Sequence, residues 1–214
     1  MKRSIFFFII VVMFISIGSA SAEPVRQITW AELVPTFPES EDPLARLTEE
    51  QKGLVLWFIE VIQKMPQRGP DTEALYKDLD ASMPLFKESG IEMEKIMRRI
   101  KQMQTSVVTE LHGRLIRIPG YLLPLETTGT KVREFLLVPY FGACIHVPPP
   151  PPNQIIHVKM TKGSYTSKGL FEPVWVTGVI STKAVAKDLY LTDGSAEIDI
   201  GYSVQADRVE VYAQ

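Results

Sequence analysis

The residue types best suited to chemistry lie close together in this chain. Cys144, its one cysteine, and His146 are two residues apart in LLVPYFGACIHVPPPPPNQIIHV (136–158), and His157 stands near the end of that stretch. On an extended strand alternate side chains share a face, so the Cys144 thiol and the His146 imidazole would point the same way. Thiolate and imidazole are ligands that zinc and copper favour, so Cys144, His146 and His157 form a candidate metal set. Further donors would have to come from Glu126, Asp199 or a second subunit. Two other readings stay open at these residues. A lone cysteine often serves as a small buried hydrophobe. As a nucleophile, Cys144 would need a histidine base and a group to orient it. No Gly-rich oxyanion loop and no C-x-x-C pair accompanies it, so the non-catalytic readings are preferred.

The proline run raises a different possibility. Pro148, Pro149, Pro150, Pro151 and Pro152 have no backbone donors and favour a stiff polyproline II rod. Tyr140 and Phe141 precede it, and Asn153 and Gln154 follow with amide donors and acceptors. This set reads as a partner-contact loop, with Tyr121, Tyr140 and Phe141 able to pack on proline rings. An internal clamp over a barrel mouth is the rival reading of the same residues.

The elements that must position these residues fall into two halves. Thr29 to Leu33 reads as a capped turn stopped by Pro35. Thr48 with Gln51 three residues on is a capping box, and it opens a helix whose apolar stripe is Leu54, Trp57, Phe58, Val61, Ile62 and Met65. A second amphipathic segment follows Asp71 through Leu75, Leu79 and Met83, with Pro84 weakening its end. A third runs from Ile91 to Met103. These stripes read as core, and His112 beside Gly113 reads as a turn residue. From Val107 the period shortens to short, β-branched and aromatic segments: RLIRIPGYLLPLE, VREFLLVPY, IIHVKM, VWVTGVIS, AEIDIGYSV and DRVEVYA. A break or bulge is expected at Pro119-Gly120, and Asp193-Gly194 signals a turn. The fold class reads as α+β: a helical region over 23–106, then over 107–214 a small β-barrel of the oligonucleotide/oligosaccharide-binding (OB) type, with a small sandwich as the competitor.

The first 22 residues read as a signal peptide. Lys2 and Arg3 precede an apolar run from Ile5 to Ile17, and Ala20-Ser21-Ala22 suits cleavage after Ala22. The expected mature protein is periplasmic and has no integral membrane segment. The full chain carries a formal charge of −2, more negative once Lys2 and Arg3 are removed, which argues against nucleic acid as a partner.

Three blocks, IPGYLLPLE, EFLLVPYFGACIHVPPPPPNQIIHV and EPVWVTGVI, together with ITWAELVP near the mature N-terminus, resemble the signature blocks of the DUF3299 family of exported bacterial proteins. The resemblance covers roughly residues 28–36 and 110–214. It implies export and a β-rich, OB-like domain. Some family members are encoded beside ABC transporters linked to metal limitation. The resemblance thus implies an accessory or adaptor role with an envelope protein or transporter component as partner. Metal binding or chaperoning of zinc or copper is the alternative, and a thiol-dependent enzyme the second alternative.

Overall fold

The computed structural model describes residues 24–65, 69–143, 149–191 and 194–212. The leader read over residues 1–22 lies outside them, as do Cys144, His146 and Pro148.

Nine strands and three helices make up the described chain: β1 (Arg26–Gln27), α1 (Glu49–Lys64), α2 (Glu73–Glu88), α3 (Met93–Thr105), β2 (Leu115–Thr128), β3 (Lys131–Val138), β4 (Ile156–Met160), β5 (Tyr165–Thr166), β6 (Glu172–Ser181), β7 (Val185–Leu191), β8 (Gly194–Ile200) and β9 (Tyr202–Val211). Five of them close a barrel. β2 pairs antiparallel with β3 and with β6, β3 pairs antiparallel with β4, β4 runs parallel to β9, and β9 returns antiparallel to β6. Numbered along the barrel, that is the order 1-2-3-5-4-1 with one parallel pair, the OB topology. The expected fold class, α+β with an OB-like barrel, is the one observed.

The barrel interior is filled by alternate residues of every wall strand: Ile116, Ile118, Leu122, Phe135, Leu137, Ile156, Val158, Val174, Val176, Tyr202 and Val204 are all buried in one cluster. One end is plugged by the N-terminal segment. β1 lies parallel to β2, and Ile28 and Leu33 enter the same cluster. The Trp30 indole Nε1 donates to the Pro119 carbonyl at 2.7 Å, and the Tyr202 hydroxyl donates to the Leu33 carbonyl at 2.7 Å. The chain from Arg26 to Leu33 therefore belongs to the barrel in packing, although it precedes the helices in sequence.

The expected break at Pro119-Gly120 does not occur. β2 runs through it, with Pro119 opposite Trp175 and Gly120 opposite Val174; the irregularity comes later, around Glu126. Glycine is needed at position 120 for a different reason. A Cβ there would meet Leu137 Cγ at 2.8 Å, the Val138 carbonyl at 2.9 Å and the Trp30 ring at 3.0 Å. The segment read as AEIDIGYSV is divided instead at Gly201, between β8 and β9.

The helices carry their own small core of Val55, Phe58, Phe86, Ile91, Met93 and Ile96. The capping box forms as read, with Gln51 N donating to Thr48 Oγ1 and Thr48 N donating to Gln51 Oε1. The stripe needs correction. Phe58 is buried as read and Ile62 packs against the same core, but Trp57 is 59% exposed and Leu54 is also exposed, because α1 turns Val55 inward beside Phe58. α2 also passes through Pro84 and gains a further turn, which seats Phe86 edge-on to Phe58. Among the described residues no helix is long and apolar enough to cross a membrane.

Candidate functional site

The β7–β8 hairpin lies against the outside of the barrel wall. Leu136 and Val138 of β3 and Leu123 of β2 point away from the interior, and they are buried in a second cluster with Ala143, Ile155, Phe171, Ile198 and Ile200. Both faces of the end of β3 are thus covered, one by the barrel interior and the other by the hairpin and neighbouring loops.

His157, one of the three candidate metal ligands, stands on this outer wall. It is 7% exposed, and its Nε2 lies 2.7 Å from Glu134 Oε1; Lys187 Nζ of β7 reaches the same oxygen at 2.6 Å. Burial pushes the imidazole below its ordinary value, against the pull of Glu134. Burial alone would raise the Glu134 carboxyl, but the bonds from Lys187 and His157 outweigh it and hold the group below the usual carboxylate range. The consistent state is an ionised Glu134 that accepts from the Lys187 ammonium and from Nε2–H of a neutral imidazole. His157 is therefore committed to a carboxylate already shared with a cation. Among the described residues no three His, Cys, Asp or Glu side chains are grouped to hold a metal ion.

A pH dependence follows from these shifts. A histidine with a depressed folded value resists protonation in the fold but not in the unfolded chain, so acid favours unfolding. Stability should be level above the ordinary histidine value of 6.5 and should fall as pH drops below it, with a further loss from Glu134 below 4.5. Thermal melts between pH 8 and 5, of the order of this titration range, should show the decline, and His157→Gln should flatten it. An unchanged slope in that variant would assign the decline elsewhere.

The proline connector is anchored from within. Asn153 is buried, and its Nδ2 donates to the Met103 and Ser106 carbonyls at 3.0 and 3.1 Å. These are acceptors at the C-terminal end of α3, where a helix leaves carbonyls without intrahelical partners. Gln154 Nε2 donates to the Trp30 carbonyl at 2.9 Å, on the segment that plugs the barrel. The two amides that follow Pro149–Pro152 thus tie the helices, the plug and the barrel together.

The aromatic residues before the run are more open. Phe141 is 66% exposed although its ring is flanked by two others, tilted against Phe171 with centroids 5.1 Å apart and edge-on to Tyr121 at 6.2 Å. Their chain neighbours in the connecting loops, Tyr140 before Phe141 and Leu170 before Phe171, are 42% and 61% exposed. Phe171 itself has φ of 56°, a left-handed conformation that is rare for a bulky residue and costs of the order of 1–3 kcal/mol. Two sets of bonds hold it. Phe171 N donates to the Leu122 carbonyl at 2.8 Å. The adjacent buried Glu172 accepts from Tyr165 Oη at 2.9 Å, Ser167 Oγ at 3.1 Å and Lys168 N at 2.9 Å. Burial, and then the bond to Glu172, raise the Tyr165 phenol to about 12.

Sequence reasoning reached Tyr121, Tyr140 and Phe141 but not Leu170, Phe171 or Glu172, whose part depends on a backbone conformation with no composition signal. Glu134 and Lys187 were also missed. They meet His157 only through the β3–β4 register and the path of the hairpin.

A family model described as a protein of unknown function (DUF3299) matches residues 30–211. Among solved structures, the chain is similar to a DUF3299 family protein from Pseudomonas aeruginosa PAO1, with 30% identity and a TM-score of 0.48, covering 90% of this chain and 99% of that one. An OBody bound to hen egg-white lysozyme aligns with 52% of this chain and 92% of its own at 12% identity and a TM-score of 0.28, too low to carry an argument. No curated protein matches the chain.

Proposed function

Because the chain belongs to the DUF3299 family, whose description assigns no activity, we propose from its own residues that it is a non-catalytic binding module of the periplasm. It acts as an accessory or adaptor protein, and its partner is an envelope protein, such as a transporter component. The observation that carries this reading is the rim formed by Tyr140, Phe141 and Leu170. Large apolar side chains exposed together and held in place mark contact surfaces, and aromatic residues are enriched at the centres of protein interfaces. The rim is rigid beneath the exposed rings, because Phe171 and Glu172 fix one side and Tyr121 the other. A preorganised surface loses less conformational freedom on binding. Asn153 and Gln154, read with the rim as contact residues, are instead spent on internal bonds to the helices and the plug, so the rim carries the reading without them.

A photo-crosslinking side chain placed at Phe141 in the exported, full-length protein tests it. A discrete adduct with one envelope protein is expected, with Leu170→Ser reducing its yield at least about fivefold, the effect of losing roughly 1 kcal/mol of contact. A diffuse pattern that Leu170→Ser leaves unchanged would remove the rim from the reading. Zinc or copper bound one-to-one, and lost in Cys144→Ser and His146→Ala, would replace the adaptor with a metal-binding protein.

A further inference from the structure

Helix α1 buries one side and leaves the other apolar as well. Val55 and Phe58 sit in the helical core, and Ile59 and Ile62 pack against it. On the outer side Trp57 is 59%, Leu56 55% and Leu54 42% exposed. An aromatic and two aliphatic side chains left together on one helix face mark a contact surface.

Two further features narrow what covers this face. Gly53 stands one turn before Trp57 in the helix interior, where glycine costs stability relative to alanine. A Cβ there would meet nothing within 4 Å, so packing inside this chain does not call for it. The gap lets a side chain from outside come close to the helix backbone. The second feature is charge. Glu50, Trp57 and Lys64 follow one another at seven-residue steps, two helical turns each, so they share one line on the outer face. That line is acidic at its start, aromatic at its middle and basic at its end. Glu49 is bonded to Lys52 and Glu60 to Lys64, whereas among the described residues Glu50 enters no ion pair.

A line of this composition is complementary to itself in reverse. With a twofold axis through Trp57, Lys64 meets the partner's Glu50, and the same contact repeats on the other side of the axis. Gly53 then faces the partner's Val61, and the two helix dipoles oppose one another favourably. A parallel pair would instead set glutamate on glutamate and lysine on lysine. An anionic membrane fits poorly, because it calls for lysines and arginines around the apolar residues, and this face carries Glu50 and Glu60. We propose that the exposed face of α1 binds a second copy of this chain as an antiparallel, isologous helix pair centred on Trp57. One pair of 16-residue helices is a smaller contact than a permanent dimer needs, so the association is reversible and micromolar. This face is separate from the Tyr140–Phe141–Leu170 rim, which lies in the barrel loops.

Sedimentation equilibrium of the full mature chain at low salt tests it. Monomer and dimer should interchange with concentration. Trp57→Ala should weaken association at least about tenfold. It should leave the melt of dilute protein unchanged, since the indole lies outside the helical core. Glu50→Lys and Lys64→Glu should each weaken association about tenfold, through two repulsive contacts per dimer. An equimolar mixture of those two variants should associate as tightly as the unaltered chain, because every lysine on the line then meets a glutamate. A chain that stays monomeric to millimolar concentration would overturn the proposal. So would a dimer indifferent either to Trp57→Ala or to the charge reversals. A monomer that binds phosphatidylglycerol vesicles through Trp57 would also overturn it and give the face to a lipid surface.

Discussion

Glu172→Ala is expected to destabilise the protein by about 3 kcal/mol and to release Leu170 from the rim. The carboxylate is buried and accepts from Tyr165, Ser167 and Lys168 N, so its removal strands several donors at once. Hydrogen bonds to a charged group contribute about 1.5–3 kcal/mol each in isolation, but the losses overlap because one side chain serves them all. The neighbouring Phe171 adds to the effect. Its left-handed backbone persists only while its surroundings determine it, and Glu172 anchors the loop on its C-terminal side. Urea denaturation gives the size of the loss. An alkaline absorbance titration gives its cause, since Tyr165 should ionise below its present value of about 12 once the carboxylate is gone. Glu172→Gln should recover part of the stability, because an amide oxygen still accepts. A loss under about 1 kcal/mol would mean that the loop is held by the Phe171–Leu122 bond and ring packing alone.

Gly178→Ala should be as damaging, by a different route. β6 and β9 slip register there: Thr177 faces Arg208 and Gly178 faces Ala206, which leaves Asp207 as the extra residue of a bulge. The bulge presses β9 onto Gly178. An added Cβ would run into the Gln205 carbonyl oxygen and stand 2.7 Å from Ala206 Cα. These are backbone atoms in the middle of a barrel wall, so no rotamer change relieves the clash. Overpacking of a core costs about 1–3 kcal/mol where side chains can give way, and the upper end or slightly more is expected here. The readout is the midpoint of denaturation, with near-wild-type behaviour meaning that the bulge can move along the ladder.

What could be read from the sequence was what neighbours in sequence decide. Thr48 and Gln51 are three residues apart, and their reciprocal bonds need only local geometry. The β-branched segments after Val107 also declared themselves, because a pleated, half-buried strand favours such residues whatever its partners. Pro119-Gly120 misled because a proline and a glycine normally punctuate a strand. The glycine is instead needed where the Trp30 ring, distant in sequence, packs across the wall. α1 misled for a related reason. It is apolar over more than one face, so Phe58 can be joined at helical spacing by Leu54 and Trp57 or by Val55, and only the position of α2 and α3 selects Val55. Glu134, His157 and Lys187 lie on three separate strands and become neighbours only when register and the hairpin path are known.

The plug at the barrel end has a consequence for the order in which the molecule can be assembled. Tyr202, which holds Leu33, lies on the last strand, 169 residues further along the chain. Its hydroxyl also accepts from Val108 N at 2.6 Å, so one phenol joins the start of the chain, the approach to the barrel and its final strand. Contacts of such separation form late, since the chain must first bear the entropy of a long loop. During synthesis Ile28, Trp30 and Leu33 emerge early; β2 later offers partners to Ile28 and Trp30, but the Leu33 carbonyl has its partner only when β9 follows. A growing chain can settle its helical core, but it cannot complete the barrel, and it keeps an apolar leading segment unburied almost to the end.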